Sequence, residues 1–322
     1  MSGQSREELM RAWTDSAGRR LSGAGDSLAE RQALSGPGHG NVAPWSGSDE
    51  LDFHGTLAAI WVWSRAQKVG GEDRFALNVA AAWSFVESAC RRFIPTGLGP
   101  SASDEAAYDC AMLLRAASAD HSRAAEPLHG QVQAAARLLT VYLSDLDDLN
   151  GREFRDPGFL AWSLAEFARE QSDRSLLASA RRFVDRAFGM KAPPAFAAEP
   201  SMNDGLFDFS STSATRILSV IAAEGSTPFV GAWLRERVGP HAPPGIIARA
   251  TDESAWNACV AIALGRSYVV ATDPVFFDSH QAILAGLEAR SNGGGVGRTA
   301  GSPPETLPTF HYALAVDALV KP

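Results

Sequence analysis

Hydrophobic positions along this chain gather into six nearly apolar runs, and versions of one polar frame precede them. The frame is an acidic pair, two spacers, an aromatic residue and usually a polar residue, as in Asp252-Glu253-Ser254-Ala255-Trp256-Asn257. The two weaker copies end in Phe159-Leu160 and Phe310-His311. Aligned copies place the last position at residues 54, 109, 160, 208, 257 and 311, which are 48 to 55 residues apart. A near-constant step of this size is typical of a repeat architecture.

The apolar runs predict six inner helices, which begin near residues 49, 104, 156, 203, 252 and 306. Helices without a polar face belong inside a protein. Amphipathic runs between them predict outer helices over residues 75–86, 130–144, 174–189, 227–237 and 275–290. The connections that lead back to the inner helices are the long ones. We therefore expect the functional loops on the rim where the inner helices begin.

Six inner helices with antiparallel outer helices around them make an all-α fold, the (α/α)6 toroid. A short helix over residues 5–16 would supply the sixth outer helix, and the Gly, Ser and Pro residues of 17–48 predict an irregular arm. We expect one structural domain, in which residues 1–48 pack on a toroid formed by residues 49–322. The glycine-rich residues 292–302 are typical of a flexible linker, with a lid as the alternative.

Composition narrows the function classes. The 322 residues include 29 basic and 37 acidic side chains, a net charge of −8, which disfavours binding to nucleic acid. Three cysteines without a CxxC spacing indicate a reducing compartment, and no motif calls for a metal or another cofactor. The first residues lack the apolar core of a signal peptide. These features favour a cytoplasmic location.

The polar position that follows each aromatic lies about one turn inside an apolar helix, where a polar group needs a partner or a use. These side chains either bond to one another or converge as acids and bases with perturbed pKa values. A metal held by three of them is a weaker alternative, because no spacing motif supports it. The acidic pairs beginning at Asp49, Asp104 and Asp252 are expected to be helix N-caps. The ring of polar candidates is His54, Asp109, Asp208, Asn257 and His311.

Two further groups of side chains are candidates. The frame's aromatic residues either fill the core or line a cavity for an apolar or sugar substrate. They are Phe53, Tyr108, Phe207, Trp256 and Phe310. The second group is Asp145, Asp147 and Asp148 on the functional rim. Three carboxylates this close repel one another, so that one of them tends to keep its proton and can act as a Brønsted acid.

Several short segments carry a resemblance to a known superfamily. They are Asp252-Glu253-Ser254-Ala255-Trp256, Ala263-Leu264-Gly265, Asp273-Pro274, Ala282-Ile283-Leu284 and Asn292-Gly293-Gly294-Gly295-Val296-Gly297. Together they resemble one repeat of the prenyltransferase and squalene-cyclase toroids, with a degenerate form of the QW ending.

Asp145-Leu146-Asp147-Asp148 is similar to the DxDD motif of class II terpene cyclases within that superfamily. The resemblance implies that Asp147 protonates an isoprenoid polyene, that Asp145 and Asp148 tune it, and that aromatic faces stabilise the carbocation. The resemblance implies no cofactor. An isoprenoid substrate is apolar, which would allow the protein to contact a membrane surface. If Asp147 is not the acid, Asp109 or Asp208 would take its place.

Two other functions stay open from the residues alone. One is a glycan-processing toroid, either a hydrolase with two carboxylates or an epimerase with paired histidines. His54, His311, Asp109 and Asp208 would serve that chemistry about as well. The other is a non-catalytic helical scaffold, in which the polar ring is structural.

Overall fold

The computed structural model describes residues 6–71, 73–93, 104–120, 128–145, 157–188, 254–272 and 274–320. No helix in these ranges is long and apolar enough to cross a membrane. The elements in chain order are α1 (Arg6–Ala29), α2 (Phe53–Gly70), α3 (Ala76–Phe93), α4 (Asp104–Ala119), α5 (His129–Ser144), α6 (Pro157–Glu170), α7 (Arg174–Phe188), α8 (Ser254–Ala271), α9 (Pro274–Ala289), β1 (Ser291–Asn292), β2 (Gly295–Val296) and α10 (Thr306–Asp317).

Helix positions confirm the predicted alternation of inner and outer helices. The predicted inner helices correspond to α2, α4, α6, α8 and α10, each beginning within four residues of the expected position. The predicted outer helices correspond to α3, α5, α7 and α9. The inner run near residue 203 and the outer run over 227–237 lie outside the described residues.

The chain divides into two compact units, and the division at residue 85 falls within α3. The first unit comprises Met1–Phe85 and Ile247–Pro322, and the second comprises Val86–Ile246. The expectation of one domain, with residues 1–48 packed on a toroid of residues 49–322, stays a prediction.

In the first unit, α1 packs against α2 and α10, and α8 packs against α9 and α10. Residues 55–64 of α2 are all buried, and so is every residue of α10 except Leu307. Neighbours on all sides explain why these helices have no polar face. The contacts of α1 with both of them are those expected of the sixth outer helix.

The helix α1 continues to Ala29, although the sequence predicted an irregular arm from residue 17. Ala17, Leu21 and Leu28 are fully buried along one side of this extension. Its glycines allow close packing, since a Cβ at Gly25 would lie 2.6 Å from the Phe75 ring. Tertiary contacts therefore override the weak helix propensity of glycine.

Residues 30–52 form an ordered arm (the arm) that is bonded to the first turns of two inner helices. The Val42 amide donates to Thr56 Oγ1 of α2 at 2.9 Å. The Thr306 amide of α10 donates to the Pro44 carbonyl at 2.9 Å. These bonds set where both helices begin.

The segment 292–302 is also ordered, so the flexible-linker prediction is wrong. The strands β1 and β2 form an antiparallel hairpin. Its two turn residues, Gly293 and Gly294, have φ values of 59° and 88°, as a two-residue type I′ turn requires. Beyond the hairpin, the Arg298 carbonyl accepts the Ser254 amide at 2.7 Å, which ties this loop to the beginning of α8.

In the second unit, α4 packs against α5 and α6, and α6 packs against α7. Arg115 of α4 is 1% exposed, and its guanidinium donates to Glu166 at 2.9 Å and to Ser163 at 3.3 Å. The same group lies 3.7 Å from the centre of the Trp162 ring. A buried cation compensated in this way joins α4 to α6.

Candidate functional site

The beginning of α2 is capped by a carboxylate that the sequence did not predict as the cap. Asp52 Oδ1 accepts the Gly55 amide at 2.8 Å, whereas the predicted cap, Asp49, is an exposed residue of the arm. Asn41 Oδ1 accepts the Asp52 amide at 2.8 Å and holds the cap in place. Burial raises the pKa of Asp52 above its ordinary value of 3.8, against the lowering effect of the Gly55 bond and of nearby His54.

His54 is the second residue of α2 and is half-buried, at the end of the helix that the arm covers. Phe53 beside it is 3% exposed, with the two ring centroids 6.3 Å apart. Phe53 is therefore a core residue, whereas His54 is partly exposed at the beginning of α2.

The beginning of α10 is held by a buried polar cluster. Thr306 Oγ1 donates to the Ala43 carbonyl at 2.8 Å and accepts Arg31 Nη1 at 3.1 Å. Arg31 also donates to Ser27 Oγ at 3.1 Å. Burial lowers the pKa of the Arg31 guanidinium to about 10, which still leaves it charged at neutral pH. The cluster joins α1, the arm and α10.

His311 lies one turn into α10 and is 9% exposed. Its Nδ1 donates to the Leu307 carbonyl at 2.8 Å. Since a carbonyl can only accept, this bond places a proton on Nδ1 and leaves Nε2 as the nitrogen that gains and loses a proton. Phe310 beside it is fully buried against Trp61, with the ring centroids 5.5 Å apart.

Asn257 completes the described part of the polar ring in the first unit. It is 9% exposed on α8, which packs against α10, and α10 in turn packs against α2. His54, Asn257 and His311 thus lie within two turns of the beginnings of three consecutive inner helices. Two imidazoles and one amide can move protons and donate a hydrogen bond to an oxygen that gains charge.

In the second unit, Asp109 is 3% exposed on α4. Burial, together with the nearby Asp109 carboxylate, raises the pKa of Cys90 and of Cys110 to about 12. Tyr108 is 7% exposed and its ring lies 5.5 Å from that of Phe159, centroid to centroid. Tyr108, like Phe53 and Phe310, is therefore part of the core.

Of the remaining predicted site residues, the structure describes Asp145 but not the others in full. Asp145 follows α5 as its C-cap and is exposed. Asp147, Asp148, Phe207 and Asp208, and the side chain of Trp256, lie outside the described residues. The predicted meeting of His54 and His311 with Asp109 stays a prediction, because Asp109 belongs to the other unit. In the described ranges, no three His, Cys, Asp or Glu side chains are grouped so as to hold a metal ion.

The sequence pattern did not predict Asp52, Arg31 and Thr306, which hold the beginnings of the two helices that carry the histidines. Asp52 carried a usable signal, since a carboxylate directly before the first aromatic of an apolar run is a helix-start pattern. Arg31 and Thr306 carried none, because they are 275 residues apart in sequence and meet only in the folded chain.

No protein-family model and no curated protein matches this chain. Solved structures do. Cellobiose 2-epimerase from Spirochaeta thermophila DSM 6192 is similar with a TM-score of 0.64 and 12% identity, over 99% of this chain and 98% of that one. An unsaturated glucuronyl hydrolase specific for heparin is similar with a TM-score of 0.57 and 10% identity, over 97% of both chains.

The α-1,6-mannanase GH76A from Salegentibacter sp. HEL1_6 is similar with a TM-score of 0.59 and 10% identity, over 94% of this chain and 98% of that one. An inactive variant of that mannanase, in which two successive aspartates are replaced by asparagine, was solved with α-1,6-mannotriose. The fold is an (α/α)6 toroid. The fold class expected from the repeat is confirmed, and the three similar proteins named above are enzymes.

The interpretation as a class II terpene cyclase with an isoprenoid substrate is wrong. The similar toroids process glycans, and the ligand bound in one of them is a sugar. The glycine-rich ending that resembled a QW motif is a tight hairpin packed on α1, where a Cβ at Gly294 would lie 2.2 Å from the Gly23 backbone. Backbone packing therefore explains Gly294 without a QW motif.

Proposed function

We propose that this toroid is a glycan-processing enzyme that epimerises a sugar at the carbon next to its reducing end, with His311 and His54 as the acid–base pair. The observation that carries the proposal is the likeness, over at least 94% of the chain, to three toroids that all act on glycans. The epimerase among them has the highest TM-score of the three. The two histidines on adjacent inner helices supply a chemistry that fits it.

The reaction needs one proton removed and one returned. A reducing sugar opens to its aldehyde, and the C2–H bond next to that carbonyl becomes acidic. A base takes the C2 proton while the bonding electrons move onto the carbonyl oxygen and give an enediolate. An acid then returns a proton to the opposite face of C2, and the ring closes. The product is an isomer of the substrate, so no oxidant or reductant is consumed.

Side chains of the first unit match these roles. His311 holds its ring in one orientation through Nδ1, which directs Nε2 to exchange the C2 proton. His54 on α2 is the second exchanging group. Asn257 on α8 is suited to donate a hydrogen bond to the enediolate oxygen, because such a bond stabilises charge more in a buried site than in water.

A glycoside hydrolase is the second candidate, on one specific observation. The mannanase with a similar fold is inactive when two successive aspartates are replaced, and this chain carries two successive aspartates at 147 and 148. A pair of carboxylates can serve as acid and base or nucleophile in glycoside hydrolysis. Asp109 and Asp208 are further carboxylates for such a role.

One experiment separates the candidates. Cellobiose, α-1,6-mannotriose and an unsaturated heparin disaccharide are each incubated with the protein in D2O and followed by proton NMR. Epimerisation produces the C2 epimer, with deuterium at C2 when the proton exchanges with solvent. Hydrolysis produces shorter sugars with no deuterium at C2. If the protein converts none of the three sugars, both candidate functions are contradicted.

Variants then assign the residues. In H311N the new amide nitrogen can keep the bond to Leu307, so the fold is retained while the exchangeable Nε2 is lost. We expect turnover to fall by about 10² to 10⁴-fold, whereas H129N, a change at an exposed position of α5, leaves it unaltered. If H311N keeps full activity while D147N/D148N abolishes it, the hydrolase with the aspartate pair is the correct function.

A further inference from the structure

The arm walls a cleft of about 550 Å³, which opens beside the last residues of α1. A volume of this size is in the range of small-ligand sites. The walls combine an indole, an exposed leucine, carboxylates and hydroxyls, so the cleft is neither purely apolar nor purely polar. It lies wholly within the first unit.

The indole of Trp45 is the largest apolar surface of this cleft. It is 47% exposed, although the backbone that carries it is held on both sides. The Trp45 carbonyl accepts the Ser48 amide at 3.3 Å, across a turn in which Gly47 has a φ of 81°. Trp45 also forms a β-bridge with Glu305. A flat ring on a fixed backbone loses little entropy when a ligand stacks on it.

Charge in the cleft favours a neutral ligand. Arg31 lines it, but its guanidinium is buried and donates to Ser27 and Thr306. Glu30 and Asp49 are both exposed there. Hydroxyl groups of a ligand would donate hydrogen bonds to these carboxylates, and a ligand with its own carboxylates would be repelled.

The cleft is joined to both candidate histidines through the arm. Glu305, the bridge partner of Trp45, is the N-cap residue of α10, which carries His311. Asn41 lines the cleft and also accepts the amide of Asp52, the cap of the helix that carries His54. A ligand in the cleft would therefore lie at the end of the unit where both helices begin.

We propose that this cleft is a distal subsite for a neutral oligosaccharide, in which Trp45 stacks on the C–H face of one sugar ring. A pyranose has an apolar face the size of an indole and a rim of hydroxyls, which match Trp45 and the carboxylates of Glu30 and Asp49. Leu51, 50% exposed, supplies further apolar surface in the same cleft. The inference rests on the proposed function and specifies its substrate class: neutral chains of three or more sugars rather than uronates.

The test measures binding apart from turnover. Titration calorimetry on H311N, which cannot exchange the proton, follows α-1,6-mannotriose, cellotriose and an unsaturated heparin disaccharide. We expect Trp45→Ala in this background to weaken trisaccharide binding by about tenfold, and Trp45→Phe, which keeps a ring, to weaken it by about threefold or less. Leu34→Ala, at an exposed arm residue that does not line the cleft, is the matched control and leaves affinity unchanged.

The kinetic prediction is a split between two constants. In the otherwise unmodified enzyme, Trp45→Ala raises KM for trisaccharides while kcat and disaccharide turnover stay the same. Unchanged trisaccharide affinity in Trp45→Ala overturns the subsite, and so does tighter binding of the uronate disaccharide than of neutral sugars. If Trp45→Ala sediments with half the mass of the wild type, a second copy of the chain covers this cleft. That result also overturns the subsite. Trp45-dependent binding without turnover of any sugar supports the subsite and contradicts the proposed enzyme instead.

Discussion

Histidines of the first unit show how environment divides identical side chains into structural and chemical roles. His280 is fully buried, donates from Nε2 to the Ala315 carbonyl at 2.9 Å and accepts Gln281 at Nδ1 at 3.1 Å. Burial lowers its pKa to about 4, so that it stays neutral at physiological pH and acts as a core residue. His311 lies near a helix beginning and donates from Nδ1 to the Leu307 carbonyl of its own helix at 2.8 Å. The second environment is the one suited to proton exchange.

The buried cap Asp52 leads to a pH-dependence prediction. Because its pKa is raised in the folded state, the native protein holds the proton more tightly than the unfolded chain does. This contribution to stability is present in full below pH 3.8 and is lost as the pH rises through the folded pKa. Asp52→Asn removes the ionisation and keeps a good N-cap.

We therefore expect the free energy of unfolding of the wild type, relative to Asp52→Asn, to fall as the pH is raised from about 4 towards 7. Urea denaturation at a series of pH values measures this difference. Asp52→Ala, which loses the bond to Gly55, should be less stable than Asp52→Asn by about 1 kcal/mol at every pH. A constant difference between wild type and Asp52→Asn would mean that Asp52 ionises normally.

At the scale of elements, the β1–β2 hairpin shows why glycine content alone does not indicate flexibility. Both turn glycines have positive φ, but only one faces another backbone. A Cβ at Gly294 would lie 2.2 Å from the Gly23 carbonyl carbon in α1, whereas a Cβ at Gly293 would meet nothing within 4 Å. The hairpin is therefore a packed element of the first unit.

This contrast predicts different costs for two adjacent substitutions. Gly293→Ala carries only the backbone strain of positive φ, about 1 kcal/mol. Gly294→Ala adds a clash with a helix backbone that cannot move aside, so we expect a loss of about 3 kcal/mol. Thermal and urea denaturation of the two variants measure the difference. Equal losses would show that the hairpin does not pack on α1.

At the scale of the whole molecule, residues from the two ends of the chain build one compact unit. Arg65 of α2 donates to Asp317 at the end of α10 at 2.5 Å, across 252 positions of sequence. The two side chains are 13% and 8% exposed. An ion pair so shielded from solvent is costly to break from one side, because the remaining charge stays buried.

Replacement of Arg65 by methionine should accordingly lower the free energy of unfolding by about 3 kcal/mol. The matched control is the double variant Arg65→Met with Asp317→Leu, which removes both charges and should recover most of that loss. Urea denaturation of the single and double variants checks both statements. A double variant as unstable as the single one would mean that packing of the arginine, and not its charge, is what matters.

Fold and function were not equally predictable from sequence. The 48–55-residue repeat led to the toroid, and the structure confirmed it. The resemblance of Asp145-Leu146-Asp147-Asp148 to a DxDD motif led to a terpene cyclase, which the glycan-processing toroids contradict. A repeat of this length and nearly apolar inner helices are requirements of the architecture, which different chemistries share. Of the candidate site, His54, Asn257 and His311 were found by their place in the repeat, and their supports Arg31, Asp52 and Thr306 were not.

The sequence by itself determined where the described helices α2 to α10 lie and which of them are inner, because burial on all sides leaves an apolar pattern that can be seen locally. It did not determine that α1 continues from residue 17 to Ala29. Tertiary structure alone decided what the polar and glycine positions do. Asp52 rather than Asp49 caps α2 because Asn41 holds it there, and Gly294 is packed because α1 lies against it. Arg31 reaches Thr306 across 275 residues. Such roles depend on partners remote in sequence, and no local pattern records them.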